Sequence, residues 1–301
     1  MIIKERDSRT NDIRELTRLL SCDITNKQRF LLEREINAIK KGESGENDSA
    51  YYINFYYGSS NKWIVIHDLR VEVDGNTAQI DHILINRFFD IYILESKNYK
   101  YGIKITENGE FEAYYGKQYI GIPSPIEQNN RHISLISELI KKHELLPKRM
   151  SVTIKPRFLN YVLISPNAVI KRPNLNKFDS SHIIKADTLQ SVINENANNI
   201  NAIDGLSSVI KLVSFSTIEH FGRKLASFHR PAAINWERKF GITQKHRTIH
   251  GNRIDRESKN YFCAKCKASI SYKEARFCWN NKQRFMGKAF CYKCQKFFNN
   301  N

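Results

Sequence analysis

Residues 77–99 read TAQIDHILINRFFDIYILESKNY, two apolar runs on either side of a short polar and aromatic break. Both runs are short and rich in Ile and Leu, which predicts two strands of a buried β-hairpin. If Asn86 pairs with Asp90, the loop has three residues, a common hairpin length. The same register sets Asp81 directly opposite Glu95, because one step back along the first strand is one step forward along the second. The hairpin that decides the fold therefore carries two facing carboxylates.

These two acids repel each other unless something neutralises them. Opposed side chains lie about 4.5–5.5 Å apart at Cβ, where two like charges repel by about 4 kcal/mol at an effective dielectric of about 20. Lys97 shares the face of Glu95 and can neutralise one acid, whereas a divalent cation neutralises both. Oxygen ligands suit Mg²⁺, and a lysine beside the ion can orient or activate a water. The alternative is an exposed strand face stabilised by salt bridges.

Charge is distributed unevenly along the 301 residues, whose formal net charge is +17. Residues 223–301 hold 19 Lys and Arg against 4 Asp and Glu, a balance of +15, whereas residues 1–222 hold 29 against 27, a balance of +2. A strongly basic C-terminal third predicts a polyanionic partner, most often nucleic acid. An acidic membrane surface is the competing explanation.

Membrane insertion is not expected, because no apolar run approaches the roughly 18 residues that a membrane-spanning helix needs. The N-terminus MIIKERDSRTNDIRE is charged and does not resemble a signal sequence. We therefore expect a cytoplasmic protein, and the sequence leaves formation of a homo-oligomer open.

Four of the six cysteines form two C-x-x-C pairs, CAKC and CYKC, which 24 residues separate. In a cytosolic chain this spacing favours a tetrahedral zinc site over disulfides. The predicted ligands are Cys263, Cys266, Cys291 and Cys294, and the metal supplies folding free energy that so small a unit cannot obtain from its core. Cys278 is interpreted as a small buried residue, with a role as an alternative ligand left open. The ten aromatic residues of this module are either its core or platforms that stack on bases.

The order of the expected elements predicts an α/β architecture. Residues 9–41 are predicted to form two helices that stop at Gly42, and a new helix is expected to begin near Ser44–Gly45. A strand, the hairpin, a second hairpin, an amphipathic helix over 125–145 and a buried strand follow. From residue 44 to 165 this is the order αβββαβ, a mixed sheet flanked by helices.

Composition and element order divide the chain into five predicted segments. They are an N-terminal helical segment (1–42), the α/β domain (43–165), a helical extension of the core with helices near 187–198 and 205–228 (166–228), a basic linker or nucleic-acid-facing arm (229–258) and the zinc module (259–301).

The segments IDH and ILESKNY, preceded by GESGE and followed by SPIEQNNRH, resemble the nuclease-related domain known as NERD, a branch of the PD-(D/E)xK nuclease superfamily. The resemblance covers roughly residues 40–165. It implies a restriction-endonuclease-like fold with the αβββαβ core. NERD domains also occur joined to C-terminal zinc-binding modules, which here implies a small zinc-ribbon-like module.

The resemblance implies roles for five residues at matching positions. Glu46 matches an outer metal or water ligand, Asp81 and Glu95 match the Mg²⁺ (or Mn²⁺) ligands, Lys97 matches the lysine of the E-x-K pair, and Gln128 matches a glutamine near the metal. Glu46 is expected in the first turn of its helix, where the macrodipole favours an acid, and Glu43 is its nearby competitor.

Three neighbours of this motif have other expected roles. Ser96 fills the middle of E-x-K and should point to the opposite sheet face, away from the chemistry. His82 should be a satisfied core histidine. His132 lies one turn after Gln128 and is left open as an approach to the site.

Three functions are consistent with these observations. The first is a metal-dependent nuclease that hydrolyses phosphodiester bonds, with DNA favoured over RNA as the substrate and with a basic zinc module that binds nucleic acid. The second is a nucleic-acid-binding regulator that does not cleave. The third is an adaptor whose zinc module binds a protein, and the basic charge of the C-terminal third disfavours it.

Overall fold

The computed structural model describes residues 1–99, 101–203, 212–242 and 261–298. Contacts divide the chain into two compact units, Met1–Thr243 and Gln244–Asn301. None of the helices within the described residues combines the length and the apolar character that a membrane crossing requires.

The helices and strands have the following bounds. The strands are β1 (Ile2–Lys4), β2 (Trp63–Val73), β3 (Asn76–Asn86), β4 (Asp90–Lys97), β5 (Gly102–Ile105), β6 (Phe111–Tyr114), β7 (Tyr119–Ile122), β8 (Lys148–Arg149), β9 (Val152–Thr153), β10 (Arg157–Ile164), β11 (Val169–Lys171), β12 (Ile183–Lys185), β13 (Tyr261–Phe262) and β14 (Ser269–Ile270). The helices are α1 (Thr10–Leu20), α2 (Asn26–Ile53), α3 (Pro125–Lys142), α4 (Leu189–Ile203), α5 (Phe215–Ser227), α6 (Trp236–Lys239), α7 (Tyr272–Asn280), α8 (Lys282–Phe285) and α9 (Tyr292–Gln295).

A six-stranded mixed sheet organises the first unit in the order β1-β2-β3-β4-β10-β12. The central strands β2, β3 and β4 pair antiparallel, and β10 joins β4 in parallel after the crossover through α3. Strands β5, β6, β7 and β11 form a second, four-stranded sheet. The predicted αβββαβ order and the mixed sheet flanked by helices are therefore confirmed.

Helices cover both faces of the main sheet, so its central strands are apolar on both sides. In β4, Ile91 and Ile93 pack into the cluster that includes α3 and α5, whereas Tyr92 and Leu94 pack into the cluster that includes the end of α2. This double burial explains the nearly continuous apolar runs of the hairpin. It also makes Asp81 in β3 and Glu95 in β4 exceptional.

The predicted break between helices at Gly42 is wrong, because helix α2 continues through this residue. It begins with a capping box between Thr25 and Gln28 and continues through Gly42 and Gly45 as one helix of 28 residues. A glycine inside a helix costs about 1 kcal/mol relative to alanine, but Gly45 has a packing role. A Cβ built on it would lie 2.5 Å from the Cβ of Asn98, just after β4, so only glycine permits this approach.

The prediction of a basic linker is also wrong in its first part, which packs against helices of the first unit. Trp236 is buried with Ile242 against helices α1 and α2, and its indole nitrogen donates to Asp12 at 2.9 Å. The composition of this stretch is polar and therefore gives no sign that Trp236 anchors it. Residues 243–258 of the predicted linker and residues 205–211 of the predicted helix over 205–228 lie outside the described residues.

The second unit has a small core. The hairpin β13–β14 and the helices α7 to α9 surround buried Phe285 and Phe290, together with Cys263, Cys278 and Cys294. Because this core is so small, we expect the stability of the unit to depend on a link between its cysteines.

Candidate active site and zinc centre

The hairpin β3–β4 has the register predicted from the sequence. Its paired positions run from His82 opposite Leu94 to Ile85 opposite Ile91, and one further step brings Asp81 opposite Glu95. The three-residue loop closes through Phe89, whose φ of 59° lies in the left-handed region. Such a residue completes a three-residue hairpin loop. Burial of the Phe89 ring in the core offsets the strain of this conformation.

Glu95 is the most constrained acid of the site, with a side chain only 4% exposed. Its Oε1 accepts hydrogen bonds from Lys97 Nζ at 2.6 Å and from Gln128 Nε2 at 2.7 Å. Its Oε2 is buried and has no hydrogen-bond partner. Burial raises the pKa of Glu95, because desolvation outweighs the favourable effect of the Lys97 ammonium. Lys97 and Gln128, two predicted site residues, thus meet on one oxygen of a third.

His132 approaches the other oxygen of Glu95 without bonding to it. Its Nδ1 is buried, has no hydrogen-bond partner and lies 3.6 Å from Glu95 Oε2, which is too far for a hydrogen bond. Burial, together with the charges of Lys97 and Arg131, lowers the pKa of His132 to about 4. A neutral imidazole therefore faces a carboxylate oxygen across a gap with no direct bond. His132 therefore does reach the site, which the sequence had left open.

Asp81 lies beside Glu95 at the end of the hairpin. Its Oδ2 accepts a hydrogen bond from the backbone nitrogen of Ser96 at 2.8 Å. Burial raises the pKa of Asp81 well above its usual range, and repulsion from Glu95 and Glu46 adds to the effect. Such mutual repulsion favours a bound cation, which relieves it.

Glu46 reaches this end of the sheet from the interior of α2, where the close approach at Gly45 places it. It is therefore not in the first turn of a helix, and the macrodipole does not explain its position. Its Oε2 accepts a hydrogen bond from Arg6 Nη2 at 2.5 Å. Burial raises the pKa of Glu46, while the Arg6 guanidinium opposes the shift. Its predicted role as an outer metal or water ligand stays a prediction.

The donors at this end of the sheet fit a divalent cation that binds oxygen ligands. Asp81 and Glu95 offer carboxylate oxygens, and the buried Oε2 of Glu95 lacks any other partner. Mg²⁺ commonly binds through one or two carboxylates and keeps its remaining positions for water and phosphate. Within the described residues, no cluster of three or more potential metal ligands includes these acids. A two-carboxylate site is therefore the arrangement that the geometry supports.

Sequence reasoning missed Arg6, which lies 40 positions before its partner Glu46 and belongs to no motif. Its Nη1 also donates to Asn47 Oδ1, and its Nε is buried without a hydrogen-bond partner. Strand β1 pairs in parallel with β2 and brings this arginine to the site. An apolar pattern of only three residues, IIK, gave the one signal for that strand.

A buried polar chain lies behind the acids, on the opposite face of the sheet. His82 Nε2 lies 3.1 Å from Ser96 Oγ, His82 Nδ1 lies 2.8 Å from His67 Nδ1, and His67 Nε2 lies 2.8 Å from Asn54 Oδ1. Burial lowers the pKa of His67 to about 4 and that of His82 well below its usual range. His82 is satisfied as predicted, and the Ser96 side chain lies on the opposite face of the sheet as predicted. Ser96 nevertheless bears on the site, because its backbone nitrogen holds Asp81.

The four predicted zinc ligands come together in the second unit. The sulfur atoms of Cys263, Cys266, Cys291 and Cys294 all lie within 4.8 Å of one another, and those of Cys266 and Cys291 are 3.7 Å apart. Tetrahedral zinc with Zn–S bonds of about 2.3 Å separates its sulfurs by about 3.8 Å. The cluster therefore fits zinc.

Cys278 is not part of this cluster. Its sulfur accepts hydrogen bonds from the backbone nitrogen of Phe290 at 3.3 Å and from Gln295 Nε2 at 3.4 Å. It is fully buried in the core of the module. The interpretation of Cys278 as a small buried residue is confirmed.

Comparison with known families matches the central part of the chain. The family model of the nuclease-related domain, NERD, matches residues 41–165. The matched region, residues 41–165, is called the NERD domain. No curated protein and no solved structure matches the chain. The match begins and ends within two residues of the predicted domain at 43–165.

The NERD domain contains all five residues predicted for its active site, and the predicted roles of these residues stay predictions. Arg6, the four cysteines and the basic C-terminal third lie outside it. A nuclease-related domain indicates a nuclease-related function and a nucleic-acid substrate.

Proposed function

We propose that the protein is a metal-dependent nuclease that hydrolyses phosphodiester bonds in DNA, with Asp81 and Glu95 as ligands of Mg²⁺ or Mn²⁺. The observation that supports this most is the state of Glu95. Lys97 and Gln128 hold one of its oxygens, and the other is buried without a hydrogen-bond partner. Buried polar atoms are nearly always paired, so an oriented carboxylate with one unpaired oxygen fits a metal ligand.

The residues around this acid have distinct tasks. Asp81 and Glu95 would hold Mg²⁺, which when bound would neutralise charge at the phosphate and lower the pKa of a water. Gln128 fixes the orientation of Glu95, and Ser96 fixes Asp81 through its backbone nitrogen. Lys97 keeps a positive charge beside Glu95, where it stabilises the charge that develops on the phosphate. Glu46, paired with Arg6, is an outer ligand of the metal or its water.

The zinc module supplies nucleic-acid affinity in this proposal. Residues 261–298 hold nine Lys and Arg against the single acid Glu274, a balance of +8. Phosphate contacts made by such a surface release counterions, which drives binding without sequence preference. A structural zinc site built from reduced cysteines also fits the cytoplasm.

A plasmid assay tests the proposed activity. We expect the full-length protein to nick or linearise supercoiled DNA with Mg²⁺ or Mn²⁺ but not without a divalent ion. Glu95→Gln should reduce the rate by more than about 100-fold, since loss of an outer partner of a metal ligand alone costs 10- to 100-fold. Single-stranded RNA in a parallel assay decides between the two nucleic acids.

Glu127→Gln is the matched control, because Glu127 is an exposed acid on the same helix as Gln128. It should cleave at the wild-type rate. If Glu95→Gln also cleaves at the wild-type rate, the proposed active site is wrong. If the wild type binds DNA but never cleaves it with either ion, the protein is a binding regulator.

A further inference from the structure

The aromatic residues of the zinc module divide into a packed set and an exposed set. Phe285, Phe290 and Phe298 pack on one another with ring centroids 4.7–6.1 Å apart, and they fill the core with the cysteines. Tyr292 and Phe297 are 67% and 68% exposed. The core is complete without these two rings, so packing does not explain them.

Phe262 and Phe277 of the module are also exposed, at 54% and 48%. Tyr292 and Phe297 each have a lysine over one face of the ring. Lys265 Nζ lies 3.7 Å from the centre of the Phe297 ring, and Lys296 Nζ lies 5.3 Å from the centre of the Tyr292 ring. We call Lys265, Tyr292, Lys296 and Phe297 the knuckle patch. All four side chains are exposed.

The cysteine cluster holds the knuckle patch in place. Lys265 lies between Cys263 and Cys266, and Tyr292 directly follows Cys291. Zinc at the cluster would therefore fix the backbone at both ends of the patch. A rigid aromatic surface loses little conformational entropy when it binds a partner.

Charge around the knuckle patch selects the chemistry of its partner. The only acid among residues 261–298 is Glu274, which accepts hydrogen bonds from Ser271 at the start of α7 and from the backbone nitrogen of Tyr292. The surface therefore offers cations and ring faces. Phosphate groups pair with the cations, and the π-faces of bases stack on the rings.

The ring faces distinguish single strands from duplexes. In a duplex, each base is covered above and below by its neighbours, so it has no free face to stack on a side chain. In a single strand the bases can separate and stack on aromatic residues, at about 1–3 kcal/mol per base. Lysines alone would bind both forms through their phosphates.

We propose that the knuckle patch binds single-stranded nucleic acid, with bases stacked on Tyr292 and Phe297 and phosphates paired with Lys265 and Lys296. This inference rests on the proposed function, since it takes nucleic acid as the partner of the module. It adds that the module directs the nuclease to unpaired strands.

Binding in a buffer free of Mg²⁺, Mn²⁺ and chelator tests the inference, because no cleavage then occurs whether or not the protein is a nuclease. The zinc-loaded full-length protein is titrated into labelled dT20, labelled rU20 and a labelled 20-base-pair duplex. Phe297→Ala and Tyr292→Ala should each weaken single-strand binding by about 5- to 150-fold, the range that one lost stack implies. Duplex binding should change less than about twofold, since it depends on charge. The two single-stranded probes show which sugar the patch accepts.

Three further variants control for folding and for loss of apolar surface. Phe297→Trp keeps a stacking face and should retain wild-type affinity. Phe30→Ala removes a 62% exposed ring from α2 in the first unit and should leave binding unchanged. Lys265→Gln and Lys296→Gln should each lower the salt dependence of single-strand binding by about 0.7 in the log–log slope. Zinc content of one per chain confirms that each variant is folded.

Several results would overturn the inference. Equal loss of single-strand and duplex affinity in Phe297→Ala would show that the patch acts through charge alone. Unchanged single-strand affinity in both alanine variants would assign the rings to another partner. Absence of binding to every probe would also reject it, whereas Mg²⁺-dependent plasmid cleavage by the same protein would leave the nuclease proposal intact.

Discussion

The carboxylate site and the cysteine cluster are built in opposite ways. In the first unit, a large apolar core and a fixed strand register place Asp81 and Glu95 before any metal arrives. In the second unit, three of the seven buried residues of the core are themselves cysteines, and two of these belong to the cluster. The fold positions the proposed ligands in one case, and the proposed ligands would hold the fold together in the other. Metal removal should therefore affect the two units very differently.

Loss of zinc is the largest effect that we expect. Cys263→Ser or Cys294→Ser should release the metal and unfold residues from about 261 onward, because structural zinc contributes about 10–16 kcal/mol to the folding of such units. Zinc content and near-ultraviolet circular dichroism measure this. The thermal unfolding of the first unit should not change.

Cys278→Ser is the control for this prediction. It should retain one zinc per chain, because the Cys278 sulfur bonds to Phe290 and Gln295 and not to the cluster. Loss of zinc in this variant but not in Cys291→Ser would contradict the ligand assignment.

The buried Trp236 marks where the self-sufficient unit ends. A chain that ends at residue 243 should keep the stability of the first unit, whereas a chain that ends at residue 228 should lose about 3–5 kcal/mol, as Trp236→Ala should also do. Denaturant titration measures the free energy of unfolding. Trp279→Ala, in the zinc module, is the matched control and should leave this unit unchanged. Equal stability of the two shortened chains would show that residues 229–242 do not belong to the unit.

The polar chain behind the acids should contribute a smaller amount. His82→Phe leaves His67 Nδ1 and the Ser96 hydroxyl without their partner, which should cost about 1–3 kcal/mol of unfolding free energy. His220→Phe, at an exposed histidine of α5, should change stability by less than about 0.5 kcal/mol. An equal effect of the two substitutions on the free energy of unfolding would mean that the hydrogen-bonded chain through His82 does not stabilise the structure behind the acids.

The raised pKa values of the acids give the smallest and most specific prediction. An acid whose pKa is higher in the folded state stabilises the fold below its unfolded pKa, and this stability is lost as pH rises through the folded pKa. Asp81→Asn removes one such acid. Without metal, the variant should therefore gain stability relative to wild type as pH rises above about 4. Thermal unfolding from pH 4 to 8 measures the difference. A constant difference for Asp81→Asn would contradict the raised pKa.

The sequence predicted most of what local geometry determines. The hairpin register followed from a short loop and the alternation of the strands, so the pairing of Asp81 with Glu95 was within reach. The break at Gly42 was predicted wrongly, because a glycine that a continuous helix tolerates has the same signature in the sequence as one that stops a helix. Arg6 was missed because nothing local links residue 6 to residue 46. Trp236 was missed because one aromatic anchor does not change the composition of a polar stretch.

Helix α2 extends for about 42 Å and crosses residue 41, where the NERD domain begins. Its first half packs through Leu32 and Ile36 with α1 and Trp236, and its second half carries Glu46. A protein assembled by transplanting residues 41–165 alone would begin inside a helix, without the packing that anchors it and without Arg6. The domain that the family model describes is therefore smaller than the segment that would have to be moved to another protein. A segment of this chain that is to be exchanged must also carry its first 40 residues and the segment around Trp236.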